Sequence, residues 1–494
     1  MAGRTVVIGA GLAGLAAAIH LAAAGREVTV LEAGDGPGGC CGTATAGGYR
    51  FDTGPSVLTM PGVLADTVGA AGEELSSWLP LARLDPYYRL AFHDGSRLDV
   101  LAGADRMAAE VQRLAGPAEA GRYLRFRDHL GRLLDAEWEP FVTRDFTRLA
   151  SMARPGQLAR LMRLVQLGGL RRMSRLASRY LTDWRLIRAH TFQALYVGLD
   201  PARALGIYAV IAAMDTIGGV YIPRRGGMHA VPRALADVAV KAGAEVCYRS
   251  RASRVLADGS GVTGVALAGG GRLAASSVIM TGDRPAAHRD LLPRGAADWR
   301  VSRPRFAPSC LVAHFGLDHP LPGQAHHTLH LSRDWDATFE ALTRRNDIQP
   351  GPDPSLLVTA PSHDPQAAPA GHATLSVLEP TANLLGGHDW AATTPWLRDR
   401  LLARLGRLGY GDLATAQAEL LVDPPGWASR GHSAGTPFGL DHRLAQTAWF
   451  RPAITARRVP GLHFAGAGTV PGIGVPMVLV SGRLAARAAL GERR

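Results

Sequence analysis

The sequence predicts an α/β fold in which one parallel-sheet domain is assembled from three separated stretches and a second, α+β, domain is inserted twice between them. Three observations predict it. A strand, glycine-rich turn, helix and second strand occupy Thr5 to Leu31; the same order of strand, glycine turn and helix returns in the ending GLHFAGAGTVPGIGVPMVLVSGRLAARAAL; and long segments, about 85–225 and 295–450, mix helical patterns with short strands, Pro, Gly and His. The 494 residues allow roughly three domains of about 150 residues. With 47% hydrophobic and 19% charged residues, and 59 Gly and 32 Pro dispersed rather than in tracts, wholesale disorder and collagen-like or mucin-like composition are excluded.

In chain order, Thr5 to Ile8 is a short apolar run bounded by glycine, hence a buried strand. The alanine- and leucine-rich LAGLAAAIHLAAAG that follows favours a helix with Gly25 just past its end. Glu27 to Leu31 reads as the second strand. Farther on, RRGGMHAVPRALADVAVKAG predicts a helix, Ala244 to Tyr248 a strand, and SRVLADGSGVTGVALAGGGRL a hairpin-like run. The resulting division places residues 1–84, 226–294 and 451–494 in the parallel-sheet domain, and 85–225 and 295–450 in the inserted one.

The four cysteines are Cys40, Cys41, Cys247 and Cys310, and an adjacent pair is neither a CxxC motif nor a zinc knuckle, so neither a disulfide framework nor a structural metal is expected. The N-terminus runs straight into the first strand without a secretory pattern, and no apolar run reaches 18 residues; the expected location is the cytoplasm, with any membrane contact peripheral. A formal charge of +12 raises nucleic acid as a partner. Yet of the 54 basic residues Lys241 alone is lysine, an arginine bias that accompanies an excess of alanine and fits GC-rich coding. Nucleic acid is therefore not expected, and a basic surface toward anionic lipid accounts for the charge equally well.

Gly9-Ala10-Gly11-Leu12-Ala13-Gly14 is a GxGxxG motif between a strand and a helix, the setting that gives the motif meaning. Gly9 allows the tight turn, Gly11 lets the backbone approach a pyrophosphate, and Gly14 lets helix and strand pack closely; Leu12 and Ala13 bring free amides and the positive end of the helix dipole. Glu32, 18 residues after Gly14 and at the end of the second strand, is placed to accept ribose hydroxyls. Just beyond it Gly38, Gly39 and Gly42 form a second glycine cluster. An extended FAD needs close backbone along its whole length, whereas NAD does not, so FAD is the favoured dinucleotide. A third such loop, Gly466-Ala467-Gly468-Thr469 followed by Gly472, Gly474, Val475 and Pro476, opens a helix whose amides can face the flavin ring.

On VVIGAGLAGLAAAIHLAAAGREVTVLEA, GYRFDTGPSVLTMP, FQALYVGLDPARALGIYAVIAAMD, GVYIPRRGGMHAVPRAL, GTPFGLDHRLAQTAWFRP and the ending HFAGAGTVPGIGVPMVLVSG, the chain resembles the flavin-dependent carotenoid desaturases of the bacterial phytoene desaturase type, within the wider glutathione-reductase-like and amine-oxidase-like flavoproteins. The resemblance covers nearly the whole chain. It implies a glutathione-reductase-like, Rossmann-type FAD-binding domain, non-covalent FAD, stepwise dehydrogenation of a long lipophilic polyene such as phytoene to more conjugated carotenes, oxygen or quinone as electron acceptor, and association with the membrane that dissolves the substrate. The cofactor-binding set that goes with it is Gly9, Gly11, Leu12, Ala13, Gly14, Glu32, Gly38, Gly39, Cys40, Val255, Gly466, Gly468, Gly474 and Val475. Where the family commonly has Gly-Gly-Arg in the second loop this chain has Gly38-Gly39-Cys40-Cys41, so a cation is absent there. Thr281-Gly282-Asp283 and Pro380-Thr381-Ala382-Asn383 also depart from the family's usual Asn-Ala-Asp and Pro-Val-Pro-Asn, which leaves room for a relative acting on another polyene or terpenoid.

Making a double bond beside an allylic system removes a hydride and a proton, and an oxidised flavin accepts the hydride, so no hydrolase-like triad is needed and none is visible. Asp215, Arg144, Asp145 and His229 are candidate acid/base or charge-stabilising groups, although a structural ion pair is the commoner explanation of each. The only adjacent histidines, His326 and His327, would point in different directions from any regular element and are not expected to ligate a metal. From Phe146 to Thr182 no residue is acidic, while Arg154, Arg160, Arg163, Arg171, Arg172, Arg175 and Arg179 alternate with Leu, Met and Val: a basic amphipathic helix, broken near Gly168-Gly169, suited to an anionic lipid interface. Two other readings stay open. One keeps the fold and changes the reaction, to a carotenoid isomerase, a saturase or an amine oxidase-like enzyme, the last of which would want an aromatic cage that 6% aromatic residues do not reveal. The other is a non-catalytic prenyl-lipid-binding relative.

Overall fold

In a computed structural model, residues 3–145, 156–293, 296, 298–361, 364 and 366–492 are described. Five short, wholly parallel strands form one sheet in the order Leu462–Phe464, Ser277–Met280, Thr5–Ile8, Val28–Leu31, Glu245–Cys247. Most of their residues are apolar and buried because both faces are covered. Val7, Val28, Val30 and Ile279 meet the helices Leu12–Ala23, Ala230–Lys241 and Val475–Ala489. Val6, Ile8, Val278 and Phe464 meet a three-stranded antiparallel layer, Ala252–Asp258, Gly261–Leu267 and Arg272–Ala274, into which the hairpin-like run resolves. The first helix ends as its sequence implies, with Gly25 at φ +75° beyond Ala23. It packs so tightly on the C-terminal helix that a side chain at Gly482 would strike the carbonyl of Ala13.

A second, seven-stranded sheet runs Ala418–Val422, Ser309–Leu317, Ala373–Thr381, Leu356–Thr359, His327–His330, Tyr88–Ala91, Arg97–Val100. All its neighbours are antiparallel except His327–His330 beside Tyr88–Ala91. Tyr88, Leu90, Leu98 and Val100 join one core with the helices Pro117–Glu137 and Ala209–Thr216. The hairpin Thr43–Ala46/Tyr49–Asp52, early in the chain, reaches over to this sheet: Tyr49 and Phe51 pack against Ala418, and Arg50 pairs with Asp364.

The basic stretch forms the helix Gln157–Gln166, a break in which Gly168 takes φ +82°, and a short helix Met173–Ser178. Arg154 and the start of that stretch lie outside the described residues.

Candidate functional site

A cavity of about 1290 Å³ takes its lining from both sheets. One end of its wall is the carboxyl edge of the parallel strands, represented by Ile8, Leu31 and Met280, where the topology of open α/β sheets places ligands. Glu32 stands there, half-buried, and its carboxylate is already engaged: Oε2 accepts the amide of Ala10 at 2.8 Å and Oε1 that of Gly34 at 2.7 Å. A carboxylate has about four acceptor sites, so lone pairs remain for ribose hydroxyls. The first two glycine loops are joined as well. Gly38 donates its amide to the carbonyl of Ala10 at 3.0 Å, and Gly11 bridges Gly38. Gly39 sits at φ +58°, and a Cβ there would lie 3.2 Å from Gly11 Cα, closing a trough that is otherwise open. Leu12 and Ala13 line the same trough at the start of a helix with no acidic residue in its first turn, which leaves the positive helix end for phosphate. Carboxylate, glycine backbone and free helix amides are a donor and acceptor set that fits FAD.

The third loop is held from beneath by a residue the motifs did not single out. Arg451 is completely buried; its Nε donates to the carbonyl of Thr469 at 3.1 Å, Nη1 to those of Gln446 at 3.2 Å and Asp441 at 3.4 Å, and Nη2 to that of Ala467. Burial lowers the Arg451 pKa to about 10, and neighbouring Tyr208 and Asp441 oppose the fall. The amide of Gly466 is taken by Ser481 Oγ at 3.1 Å. Both residues were visible in quoted motifs, but a cation serving only backbone carbonyls leaves no local pattern.

Of the anticipated cofactor residues, Gly9, Gly11, Leu12, Ala13, Glu32, Gly38, Gly39 and Cys40 lie on the cavity wall, as do Gly466, Gly468, Gly474 and Val475. Gly14 does not: it lies behind the wall, where a side chain would strike the carbonyl of Gly9 and meet Val7, the close packing its position implies. Val255 is corrected. It is buried among Val262, Val265 and Phe464 with its amide committed to the carbonyl of Leu291 at 2.8 Å, and Arg251 and Ala252 line the cavity in its place. Cys40 opens onto the cavity with Sγ 3.9 Å from His432 Nε2. Burial, then the charge of Asp283, pushes its thiol up to about 11, so it stays neutral. Cationic groups reach the wall from elsewhere, among them Arg284, whose guanidinium lies 3.3 Å from the ring centroid of Phe464 and whose pKa burial lowers to about 9.

The four acid/base candidates are not brought together. Arg144 is exposed and Asp145 half-buried, and neither is on the cavity wall. His229 gives Nε2 to the carbonyl of Pro37 at 2.8 Å, bracing the second glycine loop from outside the cavity. Asp215 alone lines it. His326 also reaches the wall, whereas its neighbour His327 is buried with Nδ1 3.0 Å from Thr359 Oγ1. A second buried carboxyl, Glu137, went unnoticed in the sequence because nothing distinguishes it from a helix-surface glutamate. The absence of an aromatic cluster is also corrected: Trp138, Phe192, Tyr196, Tyr208, Trp335 and Phe339, distant in sequence, all line the cavity.

The chain matches the description "Flavin containing amine oxidoreductase" over residues 12–490. It is 44% identical to a phytoene dehydrogenase of Streptomyces griseus over 99% of this chain and 96% of the relative. A zeta-carotene-forming phytoene desaturase of Myxococcus xanthus is 34% identical over 97% of this chain and 92% of that one. Among solved structures, an oxidoreductase from Methanosarcina mazei superposes with a TM-score of 0.65 at 17% identity, covering 97% of this chain and 99% of that one.

Proposed function

The chain belongs to the flavin containing amine oxidoreductase family, and from that premise we propose how its cavity works as the site of polyene dehydrogenation. The protein is an FAD-dependent oxidoreductase acting on CH–CH groups, a desaturase of carotenoid biosynthesis whose substrate is a long lipophilic polyene, phytoene. The observation that carries the reading is the continuity of one cavity from the glycine-lined trough into a chamber walled by Leu329, Leu331, Phe339 and Leu356. Bound FAD supplies the hydride acceptor. The chain's own residues do the rest: Glu32 and the amides of Leu12 and Ala13 hold the dinucleotide, Gly39 and Gly468 let it lie against backbone, and the apolar wall aligns the polyene and excludes water. We propose the division into a glutathione-reductase-like FAD-binding domain, 1–84, 226–294 and 451–494, and a discontinuous α+β substrate domain, 85–225 and 295–450.

Among the described residues no helix is long and apolar enough to cross a membrane. Peripheral attachment to the cytoplasmic face of the cell membrane is supported by the helix Gln157–Gln166, whose Leu158 and Met162 are 66% and 50% exposed beside exposed Arg160 and Arg163. Leu161, Leu164 and the exposed Leu170 of the same stretch line the cavity, so a lipid-soluble substrate meets its entrance at the bilayer. Oxygen or a membrane quinone then serves as the final acceptor. Expression in phytoene-accumulating cells tests the reading: new visible bands whose positions count the double bonds support it, and colourless cells containing flavin-loaded protein overturn it.

A further inference from the structure

Resting on the desaturation reading, we infer that Asp215, supported by Gln193 and with Tyr88 alongside, is the base that receives the proton removed from the polyene. Dehydrogenating a CH–CH unit breaks two C–H bonds. From one carbon a hydride leaves with its electron pair to the oxidised flavin; from its neighbour a proton leaves to the Asp215 carboxylate, and the electrons of that bond become the new double bond. The proton therefore needs an acceptor on the wall of this largely apolar chamber.

Asp215 is 4% exposed on the helix Ala209–Thr216, at the cavity wall beside Met214. Its Oδ1 has no hydrogen-bond partner, while Oδ2 receives Gln193 Nε2 at 3.3 Å. Gln193 is itself completely buried and fixed, since Nε2 also donates to the carbonyl of Ala189 at 3.1 Å. The groups facing the carboxyl are Tyr88 from the strand Tyr88–Ala91 and Gln193 and Tyr196 from the turn Phe192–Val197, all uncharged hydroxyls or amide. A buried carboxyl with one bare oxygen and no cation beside it weakens a fold, and its retention at a cavity wall points to chemistry.

Two other ionisable groups on the wall, Glu137 and His314, differ from Asp215. Burial alone acts on Glu137 and raises its pKa well above the ordinary carboxylate value. Burial lowers His314 to about 4, leaving a feeble base. Burial raises Asp215 to about 8, and the hydrogen bond from Gln193 restrains the rise. A base with a pKa near the working pH is the efficient one.

The test follows flavin bleaching in a single anaerobic turnover, with purified FAD-loaded protein and phytoene in phosphatidylglycerol vesicles, between about pH 6 and 9. Wild type is expected to speed up as the pH rises and to level off above about 8. Asp215→Asn should keep its flavin and its phytoene-induced quenching of flavin fluorescence, yet bleach about 10²–10⁴-fold more slowly with a flat pH profile. It should also lose an infrared carboxylic-acid band that titrates near pH 8 in wild type. Gln193→Leu keeps the carboxyl and removes its donor, so the band and the rise in rate both move to higher pH; this variant decides the matter if Asp215→Asn loses its flavin. Bleaching by Asp215→Asn within about threefold of wild type, or a titration unmoved in Gln193→Leu, overturns the role of Asp215 alone. Wild type that phytoene bleaches at no pH overturns the desaturation reading, and the assignment of Asp215 falls with it.

Discussion

Arg451 Nε donates to the carbonyl of Thr469 at 3.1 Å, so a wholly buried cation fixes the third glycine loop through its backbone. The same guanidinium serves carbonyls of Asp441, Gln446 and Ala467, bringing the chain on either side of it into one geometry. A lysine has a single point of charge and cannot fan out to four acceptors. Arg451→Met strands those carbonyls, and the expected loss of folding free energy is about 3–5 kcal/mol. Thermal unfolding should show it, together with loss of bound flavin; Arg451→Lys should recover only part of either. Retention of both flavin and melting temperature in Arg451→Met would show that the loop is held by other contacts.

Glu32 works on two levels, tying down the amides of Ala10 and Gly34 while keeping acceptor capacity toward the cavity. Glu32→Gln keeps one acceptor oxygen but turns an amide N–H₂ toward the other contact, so it loses a charge-assisted bond worth about 1.5–3 kcal/mol. Flavin affinity, read by fluorescence titration, is expected to fall about tenfold to a hundredfold, and the apoprotein's melting temperature to fall with it, because the lost bond is to the Ala10 or Gly34 amide. Unchanged affinity would remove Glu32 from the ribose site.

The carboxyl of Asp215 also leaves a signature in stability. Its pKa is raised from 3.8 in the open chain to about 8 in the folded protein, chiefly by burial. Between those values the native state holds a proton that the unfolded state has lost, so stability is greatest at low pH and declines as pH rises toward 8, by up to about 1.4 kcal/mol per unit. Asp215→Asn abolishes that contribution. Chemical denaturation across this range should give a smaller decline in the variant and, above pH 8, a variant more stable than wild type; parallel curves would mean that Asp215 ionises normally.

How much of this was legible in the sequence depended on whether a residue's partner was near it. The positions of Gly9 to Gly14 between strand and helix, of Gly25 past the helix end and of Glu32 at the end of the second strand were legible because turn, helix and strand are local and lie within one short run. Val255 did not, since which residue of an antiparallel layer reaches the cavity depends on register and on the loop carbonyl of Leu291, which takes its amide. Arg144 and Asp145 stood out as chemically suitable groups, but whether a side chain reaches the cavity is settled by packing, and neither does. The aromatic part of the wall was invisible because Trp138, Phe192 and Trp335 come from three distant segments and come to line one cavity only in the fold. Glu137 shows the converse: a residue that looks solvated in one dimension is half-buried at the cavity wall in three.

The proposed attachment of the helix Gln157–Gln166 to lipid makes the last prediction. Its buried side is narrow, with Leu164 its fully buried residue, while Leu158 and Met162 project outward at 66% and 50% exposure. A helix that served only to cap a core would turn those two inward. Instead the apolar side chains stand among exposed Arg160, Arg163, Arg171 and Arg172, an arrangement that gains both from apolar burial in an interface and from about 1 kcal/mol per arginine near an anionic surface. Leu158→Asp combined with Met162→Asp is therefore expected to lower partition into phosphatidylglycerol vesicles about tenfold to a hundredfold, with the melting temperature within about 1 °C of wild type because neither side chain packs in the core. Wild-type binding should weaken as salt rises, through screening of the arginines. Turnover of phytoene presented in vesicles should fall with binding, whereas turnover of phytoene in detergent micelles should not. Vesicle binding equal to wild type in the double variant would assign these leucine and methionine side chains to some other contact and the entrance of the cavity to another face.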